Sequence, residues 1–254
     1  MTEYIIKDTT LKGIADAIRA KTGKTDSIPV LDMHSQIDSI PSDGGDDETL
    51  KAIIDRSVTS VTVPDGVTSI GKYAFYECKN LEKVVLPQSV TEIKDNAFMN
   101  CSNLKNVELP NGITSFNFQS FANCSSLELT HLPDETKYIN GQAFINCKSL
   151  KISKLPDKLE ILKDFCFANI PNLRISTIPK SMKSIGNYIF NNNECTHITF
   201  EGTPNSISSS SFAGCTKLTT INVPWAEGEV ANAPWGATNA TINYNYTEVT
   251  ENAD

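Results

Sequence analysis

Seven cysteines and three histidines are the residues of this 254-residue chain best suited to metal binding, redox chemistry or nucleophilic catalysis. Cys78, Cys101, Cys124, Cys147 and Cys215 could form a disulfide framework or a metal site. Metal sites draw on close pairs such as C-x-x-C, and the sequence has none. Each of these five instead sits three residues after a phenylalanine at a recurring interval. That favours buried, reduced thiols acting as small hydrophobes, and synthesis in a reducing compartment. His34, His131 and His197 are isolated, and no H-E-x-x-H, G-x-S-x-G or G-x-x-x-x-G-K-[ST] motif occurs. Asp46, Asp47 and Glu48 could hold a cation, but such a run more often opens a helix, where the dipole favours acids. Asp65, Asp134 and Asp157 recur after a proline, at surface slots set by the same interval. The sequons at Asn100 and Asn123 arise from it too. No catalytic residue, metal or cofactor is expected, and the chain is read as a non-enzyme.

The interval itself is the stronger signal. Phe75, Phe98, Phe121, Phe144, Phe167 and Phe190 fall 23 residues apart, and Phe212 follows after 22. Pro64, Pro87, Pro110, Pro133, Pro156 and Pro179 keep the same spacing. A fixed period of this length marks a solenoid whose units bury their apolar faces against one another. In each unit, alternating residues such as Val84/Leu86 and Val107/Leu109 suit a strand. The proline ends that strand because it cannot donate to a ladder. The Ala-Phe segment reads as a short helix or 3₁₀ turn on the opposite wall. The expected fold is therefore α/β in class: a β-rich solenoid of about eight 23-residue rungs with parallel strands and short helical turns, plus a small helical N-terminal module. Solenoids generally serve as binding surfaces.

Five segments follow from composition. Residues 1–40 form a helical leader, with Leu11, Ile14, Ala15 and Ile18 at helical spacing and Leu31, Met33, Ile37 and Ile40 in a second short helix. Residues 41–48 are a linker. Residues 49–57, with Leu50, Ile53 and Ile54, suit a cap helix over the first rung. Residues 58–223 form the solenoid. Residues 224–254 are a C-terminal cap and tail, in which Trp225 and Trp235 can cover the last rung and Thr241 to Tyr246 alternate like a final strand.

In-register stacking makes residues 23 apart into neighbours. Glu82, Lys105, Glu128, Lys151 and Arg174 share one slot and nearly alternate in sign, which predicts an ion-pair ladder that pins register. A second slot changes character, from Ser60, Lys83 and Asn106 to Leu129, Ile152 and Ile175. Either a one-residue slip turns these aliphatics inward, or they form an exposed apolar stripe that marks a partner surface. The slip is the preferred reading, and burial of Ile152 decides between them. The candidate binding face comprises Lys83, Val85, Asn106, Glu108, Leu129, His131, Ile152, Lys154, Ile175 and Thr177. It offers no aromatic stacking platform, which argues against a dedicated sugar or single-strand groove on that face.

Charge narrows the partners. Net charge is −8; residues 1–48 carry 10 acids and 5 bases, and residues 224–254 carry 5 acids and no base. The middle is close to neutral, so no stripe can neutralise a nucleic-acid backbone. No apolar run approaches the roughly 18 residues of a membrane helix, and the N-terminus lacks the apolar core of a secretion signal.

The unit L-x-x-V-x-L-P-x-x-V-T-x-I-x-x-x-A-F-x-x-C, as in residues 81–101, resembles BspA-like leucine-rich repeats over residues 58–223. That resemblance implies a curved parallel-strand solenoid that adheres to surfaces or binds ligands, with no catalytic residues. The segment from Tyr4 to Gly23, running on to Ile40, and the ending from Asn222 to Tyr244 resemble flanks of phage and prophage tail proteins of Firmicutes. This implies a virion component made in the host cytoplasm, holding tail proteins through residues 1–40 and a protein or cell-surface glycan on the solenoid. A bacterial cell-surface adhesin and an intracellular scaffold are the alternatives.

Overall fold

The computed structural model describes residues 4–5, 56–63 and 65–247. Within them the chain coils into rungs of three walls around one apolar core, and every strand pairing is parallel. The rest of the 1–40 leader, the 41–48 linker and nearly all of the 49–57 cap lie outside the described residues.

The first wall is the strand wall expected from the Leu-Pro segments, but it is not continuous. One sheet joins β1 (Tyr4–Ile5), β2 (Ser60–Thr62), β4 (Lys83–Val85) and β6 (Asn106–Glu108). A second joins β10 (Thr177–Ile178), β12 (His197–Phe200), β14 (Thr220–Asn222) and β15 (Thr241–Asn243). The rungs at 127–133 and 150–156 carry no strand between these sheets, which corrects the expectation of a strand at the Leu-Pro segment of every rung. The cause is a change of inward pattern. Rungs such as Leu81, Val84, Leu86 bury the first, fourth and sixth positions, whereas Leu150, Ile152, Leu155 bury the first, third and sixth. The shift by one swaps faces. The amide of Lys151 accordingly donates to the Leu129 carbonyl at 2.9 Å, where Glu128 in the preceding rung donates to its 23-residue counterpart, Lys105. Ile152 is 0% exposed and Ile175 is also buried, so the slip holds and the exposed apolar stripe is excluded.

The second wall keeps register where the first loses it. Its strands are β3 (Ser69–Ile70), β5 (Glu92–Ile93), β7 (Ser115–Phe116), β8 (Tyr138–Ile139), β9 (Ile161–Leu162), β11 (Ser184–Ile185) and β13 (Ser206–Ile207). Each comes from the V-T-x-I segment and buries its second residue. Prolines at the first corner do more than end a strand. The carbonyls of Pro87, Pro110, Pro133, Pro156 and Pro179 each accept the amide three residues on, closing the turn into this wall.

The third wall carries the phenylalanine column. Consecutive rings from Phe75 to Phe190 stack with centroids 4.9 to 6.1 Å apart, and all but the last of these pairs are within 10° of parallel. Of the two forms expected here, a short helix or a 3₁₀ turn, the segment takes no helix and is a run of turns closed by bonds to the third residue back. In rungs from Phe75 to Phe190, the residues two before and two after the phenylalanine have positive φ, as at Gln142 (58°) and Asn146 (62°). A left-handed residue interrupts helical hydrogen bonding and frees alternate amides. Those amides cross to the next rung: Gln142, Phe144 and Asn146 donate to the carbonyls of Asp164, Cys166 and Ala168. The interleaved amides of Ala143, Ile145 and Cys147 close local turns.

Two polar columns reinforce this wall. Asn123, Asn146, Asn169 and Asn192 each donate Nδ2 to the Oδ1 of the asparagine one rung earlier, starting from Asn100, at 2.6 to 2.9 Å. Asparagine suits the slot because it tolerates the left-handed conformation and carries both donor and acceptor. The thiols of Cys101, Cys124, Cys147 and Cys215 donate to the carbonyls of Phe75, Phe98, Phe121 and Phe190. Where the slot holds Asn193, its Nδ2 makes the equivalent bond to Phe167. All seven cysteines are free and buried.

Two tryptophans close the last rung. Trp225 and Trp235 are buried edge-on to each other, 6.2 Å apart, and both lie against Phe200. The Trp235 carbonyl takes the Phe212 amide, and the indole Nε1 donates to the Ala231 carbonyl. Strand β15 covers β14.

Candidate functional site

The strand wall brings part of the candidate face together. Register places Lys83 beside Asn106 and Val85 beside Glu108, and Lys83 Nζ lies 3.4 Å from Glu108 Oε1. His131 is exposed, with Nδ1 3.2 Å from Thr130 Oγ1. Lys154 is exposed and pairs with Asp157 at 2.8 Å, a hydrogen bond that lifts its ammonium above the usual lysine range. Both stand in the strandless interval. Thr177 is half-buried on β10, and Leu129 is half-buried against the core. Ile152 and Ile175 leave the candidate face because they are core residues. What remains is a mixed polar strip interrupted at its centre.

The predicted charge ladder forms at one step among the described residues, Lys151 to Glu128 at 2.8 Å. The hydrogen bond from Lys151 holds the Glu128 carboxyl below its usual range. The other inter-rung pairs use different slots, such as Lys183–Glu160 at 2.6 Å and Lys72–Asp95 at 3.7 Å. Among the described residues no cluster of three or more His, Cys, Asp or Glu is placed to hold a metal ion. Burial pushes the Cys78 and Cys215 thiols up to about 12 and the Cys195 thiol up to about 11, which suits packing and not nucleophilic attack.

A second feature escaped sequence reasoning. On the turn wall, the slot three residues before the phenylalanine runs Lys72, Asp95, Phe118, Gly141, Asp164, Asn187. Gly141 leaves a gap in this column and an open depression of about 550 Å³. Phe118, 44% exposed, leans over it, within 3.5 Å of where a Cβ on Gly141 would sit. Its backbone is held by Asp95 Oδ1, which accepts the Phe118 amide. Phe165, stacked on Tyr188 with centroids 4.9 Å apart, forms the other side. The available signal was an aromatic followed by a glycine in a column otherwise polar, visible only once the slots are aligned.

Three walls, 23-residue rungs and a thiol column are features that known repeat proteins share. The pattern described as BspA type leucine rich repeat region matches residues 52–152 and 127–233, in six copies. The chain belongs to this family. Among solved structures, this BspA-type chain is similar to a leucine-rich repeat protein of T. pallidum, with 28% identity and a TM-score of 0.53 over 63% of this chain and 78% of that one. A leucine-rich repeat protein of Bacteroides ovatus gives 23% identity and a TM-score of 0.45, over 74% of this chain and 61% of that one. The pneumococcal vaccine antigen PcpA gives 17% and 0.46, over 76% and 42%. Comparison with curated proteins finds no match. BspA-type repeats are consistent with a binding or recognition role. No helix among the described residues is long and apolar enough to cross a membrane.

Proposed function

We propose that this BspA-type repeat protein is a non-catalytic recognition component of a phage or prophage tail, which presents its solenoid to a protein or glycan on a host surface. The family match carries the recognition part of the reading. Support for the tail comes from the flanks: residues 4–40 and 222–244 resemble the ends of tail proteins, and the latter stretch contains the tryptophans that seal the last rung. In this reading residues 1–40 hold the particle, and Lys83, Asn106, Glu108, His131 and Lys154 offer an exposed polar strip to the target.

A second reading, a bacterial cell-surface adhesin, is favoured by family membership alone, since adhesion is a common use of these repeats. Fractionation of an induced producer strain separates the two. An antibody against the full chain should find it co-sedimenting with tailed particles. Its recovery in the cell-wall fraction with none on particles overturns the tail reading in favour of the adhesin.

A further inference from the structure

We propose that the depression at Gly141 is a binding subsite for one neutral pyranose unit of a glycan. It lies on the turn wall, away from the strand face, and does not rest on the tail reading. Its volume of about 550 Å³ falls within the roughly 300–1,000 Å³ of small-ligand sites.

The chemistry of the lining selects the ligand. Phe118 and Phe165 provide apolar ring surface on two sides of the gap. Phe118 is one of two large hydrophobics exposed among the described residues, so its ring is a specific departure from a well-buried core. Around the rings stand polar atoms with no hydrogen-bond partner among the described residues. Asn140 spends Nδ2 on Asn117 and leaves Oδ1. Gln142 spends Oε1 on Gln119 and leaves Nε2. Asp164 spends Oδ1 on the Asn187 amide and leaves Oδ2. A pyranose offers this complement: C–H faces for the rings, and hydroxyls that both donate and accept. The charged lining residues are Asp95, Lys163 and Asp164, and Asp95 also pairs with Lys72 at 3.7 Å, so the site has no basic excess to recruit an anion and no unpaired cluster of carboxylates to recruit a cation. An extended peptide would need a free sheet edge, and the adjoining strands β7, β8 and β9 are paired on both sides.

The backbone permits a direct test. A Cβ at Gly141 meets its nearest neighbours at 3.5 Å, an ordinary contact, so Gly141→Leu fills the gap without forcing the fold. Saturation-transfer NMR on the full chain would use the methyl pyranosides of glucose, galactose, mannose and N-acetylglucosamine and their short linear oligomers. We expect transfer to the C–H face of at least one sugar, with binding at least tenfold weaker in both Phe118→Ala and Gly141→Leu at unchanged thermal midpoints. Should either variant unfold, Gln142→Glu, which keeps the acceptor for Gln119 Nε2 and removes the free amide donor at the rim, serves in its place. Absence of transfer to every sugar overturns the proposal. Binding that persists undiminished in folded variants also overturns it.

Discussion

Asn146 does three things with one side chain. It holds a left-handed backbone at φ 62°, donates to Asn123 at 2.6 Å and accepts from Asn169 at 2.9 Å. Asn146→Ala loses both bonds and strains the backbone, and should cost about 2–3 kcal/mol in urea unfolding; Asn146→Gly relieves the strain and should cost about 1 kcal/mol less. In the same column Asn123, which opens a sequon, has its Nδ2 hydrogen-bonded to Asn100 in the folded state. The thiols behave as part of the same wall. Native protein at neutral pH should resist alkylation at all seven cysteines, and denatured protein should take seven labels by mass, because burial raises the folded thiols well above their usual range. Glu128 gives a pH prediction. Its folded carboxyl lies below the unfolded value, so the Lys151 pair stabilises above the unfolded value and is lost as pH falls through the folded one. An NMR titration should find the Glu128 midpoint moving up in Lys151→Met; an unmoved midpoint would mean that the pair is not formed in solution.

At the scale of elements, the slip is the feature with the sharpest consequence. Ile152 faces the core and Ser153 faces solvent. Ile152→Ala should therefore cost about 2–5 kcal/mol, and Ser153→Ala should stay within about 0.5 kcal/mol. Equal effects in chemical denaturation would refute the burial pattern. The swap was legible in the sequence, as Leu-x-x-Val-x-Leu becoming Leu-x-Ile-x-x-Leu. The loss of sheet between the two halves of the wall was not, because it depends on which carbonyl each amide meets across rungs. The second wall was hidden for a different reason: its strands are two residues long, too short to display an alternating pattern. The turn wall looked helical because Ala and Phe are compatible with a helix, and nothing in Tyr73, Gln119 or Phe165 announces a left-handed backbone. The depression at Gly141 draws its lining from four rungs at once, so no local motif carries it.

For the whole molecule, the period fixes the number of rungs, and the ends decide whether the stack is sealed. Trp235, fully buried, covers Phe200 and supplies the carbonyl for Phe212. Trp235→Ala should lower stability by about 3–5 kcal/mol, with the final rungs losing hydrogen-exchange protection before the rungs at 75–144, since each rung is supported only by its neighbours. Uniform loss of protection would show instead that the stack unfolds as one unit.

The direction of the turn-wall amides reaches further than stability. From Tyr73 to Phe212 the inter-rung backbone amides around the phenylalanine column all donate toward the C-terminal end, while the asparagine and thiol side chains donate toward the N-terminal end. A rung is thus never complementary to itself, only to the next. Two copies meeting end to end would join head to tail, the kind of contact that does not close and grows into fibres. By occupying the last donor, the Trp235 carbonyl acts as a chain terminator. A protein cut back at residue 224 would present that donor beside bared core, and so has a built-in route to polymerise.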